Sequence, residues 1–334
     1  MSHFMDRIDE ELRRKSAASD RDHSYFHPSS FGGCPVEVWM NVMGIEPDSS
    51  SITAQNLRVF DEGHFLHLRY QMYMRDAGIL CKDEVVSISQ EDVQIGGTKG
   101  TKVMLTGSSG RAYPYEPEEY LWKVTEPDAS RPKMAGMESP VEVLASDMKP
   151  GDEFWLVEVP LLDREYHFGG HADAICVDQG EDAVVDFKSK SEFSYARMWY
   201  DYDQRERYQI GKLDPHMSSC HICGATMKNA KDLIPHLETN HPEWTHVDRT
   251  HKIQLHIYMW LLNTNRSLLV SENKSRQAVH VQVVPREEDL VDRIKSNASI
   301  IWEKAQNGER PEIPYQSRKQ FPCGWCDYSS KCWS

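Results

Sequence analysis

"GGHADAICVDQGEDAVVDFKSKS", residues 169–191, reads as two strands, 170–178 and 182–189, joined across "DQGED". With Gln179 and Gly180 at the turn, paired residue numbers sum to 359, which sets Asp173 opposite Asp186. Directly opposed side chains on antiparallel strands have Cβ atoms about 4.5–5.5 Å apart. Two carboxylates that close repel unless a cation lies between them. Lys188, two residues beyond Asp186, turns to the same face by the period-two alternation of a strand. Two carboxylates and an ammonium on one face make a hard-cation site with an electrostatic helper, suited to Mg²⁺ or Mn²⁺. The competing reading is a solvated sheet face that carries an ion pair.

The surrounding chain bounds what such a site can belong to. Its 334 residues can bury a full core in one large domain or two small ones. No apolar run approaches the roughly 20 residues of a membrane span, and the charged start "MSHFMDRIDEELRRKS" reads as a helix, so the expected location is the cytosol, with no membrane partner. A net charge of -14 argues against a protein that coats DNA, and confines any nucleic-acid contact to a groove.

Periodicity predicts helices over 4–17, 35–43 (Pro35 at its start, Gly44 past its end), 56–77, 252–263 and 286–306. The last carries Leu290, Ile294, Ile301 and Ala305 on one face. Further strands are predicted at 154–160 and 278–285. Residues 1–29 read as a helical extension, and 93–150, rich in Gly, Ser, Pro and charge, as a hairpin-bearing insertion or a flap.

Five of the eight cysteines fall into tight local spacings, which in a reducing compartment points to metal or cluster ligation. Cys220, Cys223, His236 and His241 form C-x2-C-x12-H-x4-H, with Met227 and Leu233 at the apolar positions of a zinc-finger core. The finger is taken as 218–243; its helix offers Lys228 and Lys231 as basic contacts and carries Pro235, which favours a structural or backbone-clamping role over base reading. "CGWCDYSSKC" sets Cys323, Cys326 and Cys332 as C-x2-C-x5-C, three ligands lacking a fourth. Cys81 and Cys176 have no partner motif and read as buried apolar residues.

The paired acids and lysine resemble the PD-(D/E)xK nuclease superfamily, and further motifs resemble its RecB-like branch. "GHAD" matches a G-x-x-D element, "VVDFKS" a D/E-x-K element, "DEGHFLH" a G-x-x-x-H element and "QLHIYMWLL" a Q-x-x-x-Y element. The resemblance, over roughly 30–92 and 154–334, implies an α/β restriction-endonuclease-like core, a central mixed sheet flanked by helices. It implies that His67, Asp173, Asp186 and the backbone carbonyl of Phe187 hold Mg²⁺ or Mn²⁺, that Lys188 orients or deprotonates the attacking water, and that Gln254 and Tyr258 position the strand or Lys188. His64 is a competitor for His67, although Gly63, one turn earlier, would permit a close approach there; Gln204 and Tyr208 compete for the Q-x-x-x-Y element, but in a polar context. Glu158 could lie near the metal.

Cas-four-type exonucleases and the AddB nuclease close a similar cysteine set with a distant N-terminal cysteine around a four-iron four-sulfur cluster. Cys34 stands where that resemblance expects it, and would staple the two ends of the chain; zinc on the same four thiolates would do the same mechanical job. The implied activity is a metal-dependent DNA exonuclease acting on single strands or duplex ends, in phage-type recombination, repair or replication, with a recombination or helicase partner. A non-cleaving DNA-binding subunit and an endonuclease stay open as alternatives.

Overall fold

A computed structural model describes residues 3–18, 24–48, 53–95, 98–128, 130–134, 136–199, 220, 222–227, 232–320 and 322–334. Gln204, Tyr208, Lys228 and Lys231 lie outside them. The chain opens with α1 (His3–Ala18), α2 (Pro28–Phe31), α3 (Pro35–Val42) and α4 (Ala54–Asp76). Strands follow as β1 (Lys82–Ile95), β2 (Thr98–Gly107), β3 (Ala112–Tyr115), β4 (Tyr120–Lys123), β5 (Lys133–Met134), β6 (Met137–Glu138), β7 (Val141–Leu144), β8 (Glu153–Trp155), β9 (Val157–Asp163), β10 (Phe168–Asp178) and β11 (Glu181–Lys190). After α5 (Glu192–Ala196) and α6 (Leu233–Asn240) come α7 (Arg249–Leu261), β12 (Arg266–Asn273), β13 (Val279–Pro285), α8 (Glu288–Gln306) and α9 (Ser329–Cys332).

The central sheet runs β13-β12-β11-β10-β9 and is mixed: β11 and β12 are parallel, and the other neighbours antiparallel. Its hairpin has the expected register, from Asp178 opposite Glu181 to Ala174 opposite Val185. Gln179 and Gly180 take φ of 53° and 84°, the left-handed pair that a two-residue hairpin turn demands. Alternation along β11 then divides its side chains between two helix layers. Ala183, Val185 and Phe187 pack with Leu66, Met72 and Met74 of α4, while Val184 shares a cluster with Tyr258 of α7. A further layer packs α3 and α8 with α7, where Ile294, Ala298 and Ile301 meet Val36, Trp39 and Ile257.

Strand β12 was not predicted. It is central, and buried along most of its length on both faces, so "RSLLVSEN" lacks the alternation that marks a half-exposed strand. The run expected as one strand at 154–160 breaks at Leu156: β8 joins β1 and β4 in a six-stranded sheet, and β9 joins β10 in the central one. The stretch expected as an insertion or flap from 93 is therefore part of a sheet that begins at Lys82. Its Val85, Leu105, Tyr113 and Phe154 share a core with Val159, Ile175, Val184 and Tyr258.

The boundary at 29 moves as well. Phe26 is buried against Phe31 and Phe168, and the 25–28 segment crosses the double glycine of β10. A Cβ on Gly169 would come within 2.6 Å of the Tyr25 ring, and Gly170 has φ of 150°, so neither position accommodates a side chain. Cys81 and Cys176 are buried, as expected of apolar-type cysteines. Among the described residues, no helix is long and apolar enough to cross a membrane.

Candidate active site

Asp173 stands where β10 changes partner: Ala172 pairs with Val159 of β9, and Ala174 with Val185 of β11. The hairpin ladder therefore ends one step short of the Asp173–Asp186 pair. There the Asp173 carboxylate itself accepts the Phe187 backbone N–H, at 2.7 Å. That substitution brings the side chain beside β11.

Asp186 is fully buried. Lys188 Nζ lies 2.9 Å from its Oδ1 and 2.7 Å from Oδ2, and Gln254 Nε2 donates to Oδ1 at 3.0 Å. The same Gln254 amide donates to the Tyr258 hydroxyl at 2.8 Å, so two α7 residues one turn apart hold the acid from behind. Asp186 Oδ2 has ion-pair proximity to Lys188 but no directed hydrogen bond among the described residues.

From α4, His67 points at both halves of this cluster. Its Nε2 is 3.2 Å from the Phe187 carbonyl oxygen, and its Nδ1 3.7 Å from Asp173 Oδ2. His64 is exposed, and among the described residues nothing lies within 4 Å of where a Gly63 Cβ would stand, so no backbone approaches closely there. One turn after His67, Gln71 donates to the Asp173 backbone carbonyl at 2.8 Å and to Glu158 at 2.9 Å. Glu158, with φ of 43°, is exposed by area, yet enough protein surrounds its carboxyl to raise its pKa.

The charges fit a cation. Burial, then the Asp186 charge, pushes the Asp173 carboxyl well above the usual carboxylate range. Burial and nearby Lys188 lower His67 to about 4, which leaves a neutral imidazole with a lone pair at neutral pH. Burial pulls Lys188 down, but Asp186 and Asp173 outweigh it and hold the ammonium above its ordinary value. Hard oxygen donors, one imidazole and a buried carboxylate oxygen without a directed donor form a set that suits Mg²⁺ or Mn²⁺.

Sequence reasoning missed three residues that fix His67 in place. Arg69 and Tyr70 on α4 both donate to Glu272 at the end of β12, the Tyr70 hydroxyl at 2.6 Å, and the Tyr70 ring stacks on Phe187 with centroids 5.3 Å apart. Missing β12 hid Glu272; the alternation of Phe187 toward α4 was the available signal for the stack.

The finger ligands converge. Cys220, Cys223, His236 and His241 bring their ligating atoms within 4.8 Å of one another, and are the one group of three or more Cys, His, Asp or Glu side chains to do so among the described residues. Cys220 N–H bonds to Ala225 and Gly224 N–H to Cys220, the tight turn that turns two thiols inward. Met227 and Leu233 lie in the finger's apolar cluster, but that cluster also contains Tyr195, Met198 and Trp199 from the segment after β11. Trp199 Nε1 donates to the His241 carbonyl at 2.9 Å, and Arg276 pairs with Glu238 at 3.2 Å. The finger thus shares its core with the segment that follows β11 and is no free-standing insertion.

Cys34, Cys323, Cys326 and Cys332 line one small cavity of about 10 Å³ with Val36, Met40 and Trp333. All four thiols are free, and burial raises the pKa of Cys34, Cys332 and, to about 11, Cys326. Among the described residues these four are not a converging ligand group of the kind that Cys220, Cys223, His236 and His241 form. Around them Tyr328 donates to Asn41 at 2.9 Å and the Asp48 N–H to the Asp327 carbonyl at 2.6 Å, tying the C-terminal segment to α3 and its following loop.

Residues 238–333 match the family model of the PD-(D/E)XK nuclease superfamily. The matched stretch contains α7 with Gln254 and Tyr258, β12, β13, α8 and the three C-terminal cysteines; Asp173, Asp186 and Lys188 precede it. No curated protein matches the chain. Among solved structures, that of SSO0001 aligns at 12% identity over 99% of this chain and 96% of its own, with a TM-score of 0.38. An alkaline exonuclease from Laribacter hongkongensis, LHK-Exo, aligns at 13% identity over 46% of this chain and 58% of its own, TM-score 0.27. LHK-Exo in complex with dAMP aligns at 10% over 85% and 89%, TM-score 0.32.

Proposed function

We propose that this chain is a divalent-metal-dependent deoxyribonuclease, an exonuclease on single strands or duplex ends that serves phage-type recombination, repair or replication in the host cytoplasm. The observation that carries the reading is the convergence of His67, Asp173, Asp186 and the Phe187 carbonyl beside Lys188 and Gln254. His67, both aspartates and that carbonyl would hold Mg²⁺ or Mn²⁺, which would supply Lewis-acid polarisation of the scissile phosphate and a more acidic attacking water. Lys188, kept as an ammonium by the two acids, orients the water and offsets charge that builds on the phosphoryl oxygens. Gln254 fixes the Asp186 rotamer, and Tyr258 fixes Gln254. Glu272, through Arg69 and Tyr70, keeps α4 and its histidine at the sheet.

In this reading zinc at Cys220, Cys223, His236 and His241 stiffens the segment after β11. A four-iron four-sulfur cluster at Cys34, Cys323, Cys326 and Cys332 staples the chain ends, and a helicase or recombination protein supplies DNA ends. A time course on end-labelled linear and circular single-stranded DNA, with Mg²⁺ or Mn²⁺, tests it. Metal-dependent loss of the linear substrate with the circle intact is expected; cutting of the circle would make the enzyme an endonuclease, and no cleavage of either would sink the nuclease reading.

A further inference from the structure

Helix α7 presents two different faces. Its Gln254 points at Asp186, while its Arg249, Lys252 and Ile253 line a separate groove of about 960 Å³. Leu290, Ile294, Asn297 and Ile301 of α8 form the floor, at i, i+4, i+7 and i+11 on one side of that helix. At 1.5 Å per residue the floor runs about 16 Å, the length of three helical turns or of five extended residues. Val247, and Pro311, Pro314 and Tyr315 from the segment after α8, complete the walls.

The floor is more apolar than the core of the protein requires. Val291, Ile294, Ala298, Ile301 and Ala305 already bury the inner face of α8, yet Leu290 is only half-buried and Ile300 stays 49% exposed beside them. Aliphatic and proline side chains dominate the lining, where a single-strand site would offer aromatic platforms to the bases. The charges around it are mostly of one sign. Arg249, Lys252 and Arg293 meet a single carboxylate, Glu287, which pairs with Lys252 at 2.7 Å and whose charge also reaches Arg293. Among the described residues neither arginine makes an ion pair of its own, so the lining is positive in a chain of net charge -14. The frame is fixed at both ends of this row. A Cβ on Gly32 would stand 2.8 Å from Thr250 Cα, so the α2–α3 turn and the first turn of α7 touch through backbone, and the Lys252–Glu287 pair ties α7 to the start of α8.

We propose that this groove docks an acidic peptide segment of a partner protein, with Leu290 and Ile300 receiving its apolar side chains and Arg249 and Arg293 its carboxylates. The groove shares no residue with the acid cluster, so this ligand is independent of the nuclease reading.

Random twelve-residue peptides displayed on phage are selected in parallel on the full-length parent and on an Arg249→Glu, Arg293→Glu double variant. Peptides enriched on the parent alone should be net acidic and carry two or more large apolar side chains. A fluorescent synthetic copy of the most enriched peptide should bind the parent, and Arg293→Glu and Ile300→Asp should each weaken it on the order of tenfold or more. Arg293→Lys should keep the affinity within about threefold, which a loss of fold would not allow. Arg293 and Ile300 are exposed, so these variants should melt as the parent does. Should Ile300→Asp not, Asn297→Trp fills the groove from another exposed position and gives the same readout.

No enrichment on the parent beyond the double variant, or enrichment of basic peptides, would overturn the proposal. Binding of a fluorescent single-stranded oligonucleotide that Arg293→Glu abolishes would assign the groove to nucleic acid, and self-association of the parent in sedimentation that Ile300→Asp abolishes would assign it to a second copy. Either result would overturn the peptide.

Discussion

The acid cluster and the finger are both candidate metal centres, and they are built in opposite ways. The finger takes four soft or borderline donors from 22 residues of chain, Cys220 to His241, and draws them within 4.8 Å of one another. The acid cluster takes its donors from α4 and from the β10–β11 hairpin, more than 100 residues further along the chain, and holds them with side chains from α7 and β12. A local ligand set is specified by spacing; a distributed one is specified by the fold. The first should therefore respond to loss of its metal by losing structure, and the second by losing chemistry.

The largest expected effect breaks the distributed site without disturbing the local one. Asp186→Asn keeps size and the Gln254 contact but removes the charge that faces Lys188. DNA cleavage should fall on the order of 10³-fold or more, with zinc content and secondary structure unchanged, as read by nuclease assay, metal analysis and circular dichroism. A rate within tenfold of the parent would remove Asp186 from the site.

Next in size is the local site. Cys223→Ser should lose the bound zinc and lower the thermal midpoint, because the finger covers Tyr195 and Trp199 and shares their core. Cleavage should fall less than in Asp186→Asn, and mainly through weaker binding. An unaltered midpoint would mean that the finger is a free module, contrary to the shared core.

The terminal cysteines sharpen the comparison, since they combine local and distant donors. Anaerobically purified protein should be brown, with absorbance near ~400 nm, and Cys326→Ser should lose colour and solubility. Colourless protein with two zinc ions per chain would assign zinc to both cysteine sites.

The smallest effect is one of pH. The folded-state pKa of His67 is depressed to about 4, below the ordinary histidine value of 6.5, so its contribution to stability is complete above about pH 6.5 and is lost as pH falls toward 4. His67→Gln removes that dependence. The denaturation midpoint of the variant should therefore fall less steeply than the parent's between pH 6.5 and 4; parallel curves would mean that His67 is protonated without cost.

What the sequence made legible follows the same division between local and distributed features. The Gln179–Gly180 turn and the sum-to-359 register needed only alternation and turn chemistry, and the hairpin has both. The buried face of α8 was legible from its period, through Ile294, Ile301 and Ala305. Strand β12 was not, because burial on both faces erased its pattern, and with it went Glu272 and the clamp on α4. The docking of the finger on Trp199 was hidden for another reason: nothing in its spacing reports what lies against its outer face. At Gly63 the close backbone approach that small size suggested is not made among the described residues.

The central claim is that Asp173, Asp186 and Lys188 form one metal-dependent catalytic site on the hairpin. It is tested most directly by the Mg²⁺ or Mn²⁺ dependence of cleavage of a 5′-labelled linear DNA by parent, Asp173→Asn and Lys188→Gln proteins at matched folded concentration. The expected result is product that rises with metal for the parent, and none above background for either variant at any metal concentration. Cleavage by the parent without divalent metal, or by either variant at a rate within tenfold of the parent, would contradict the account.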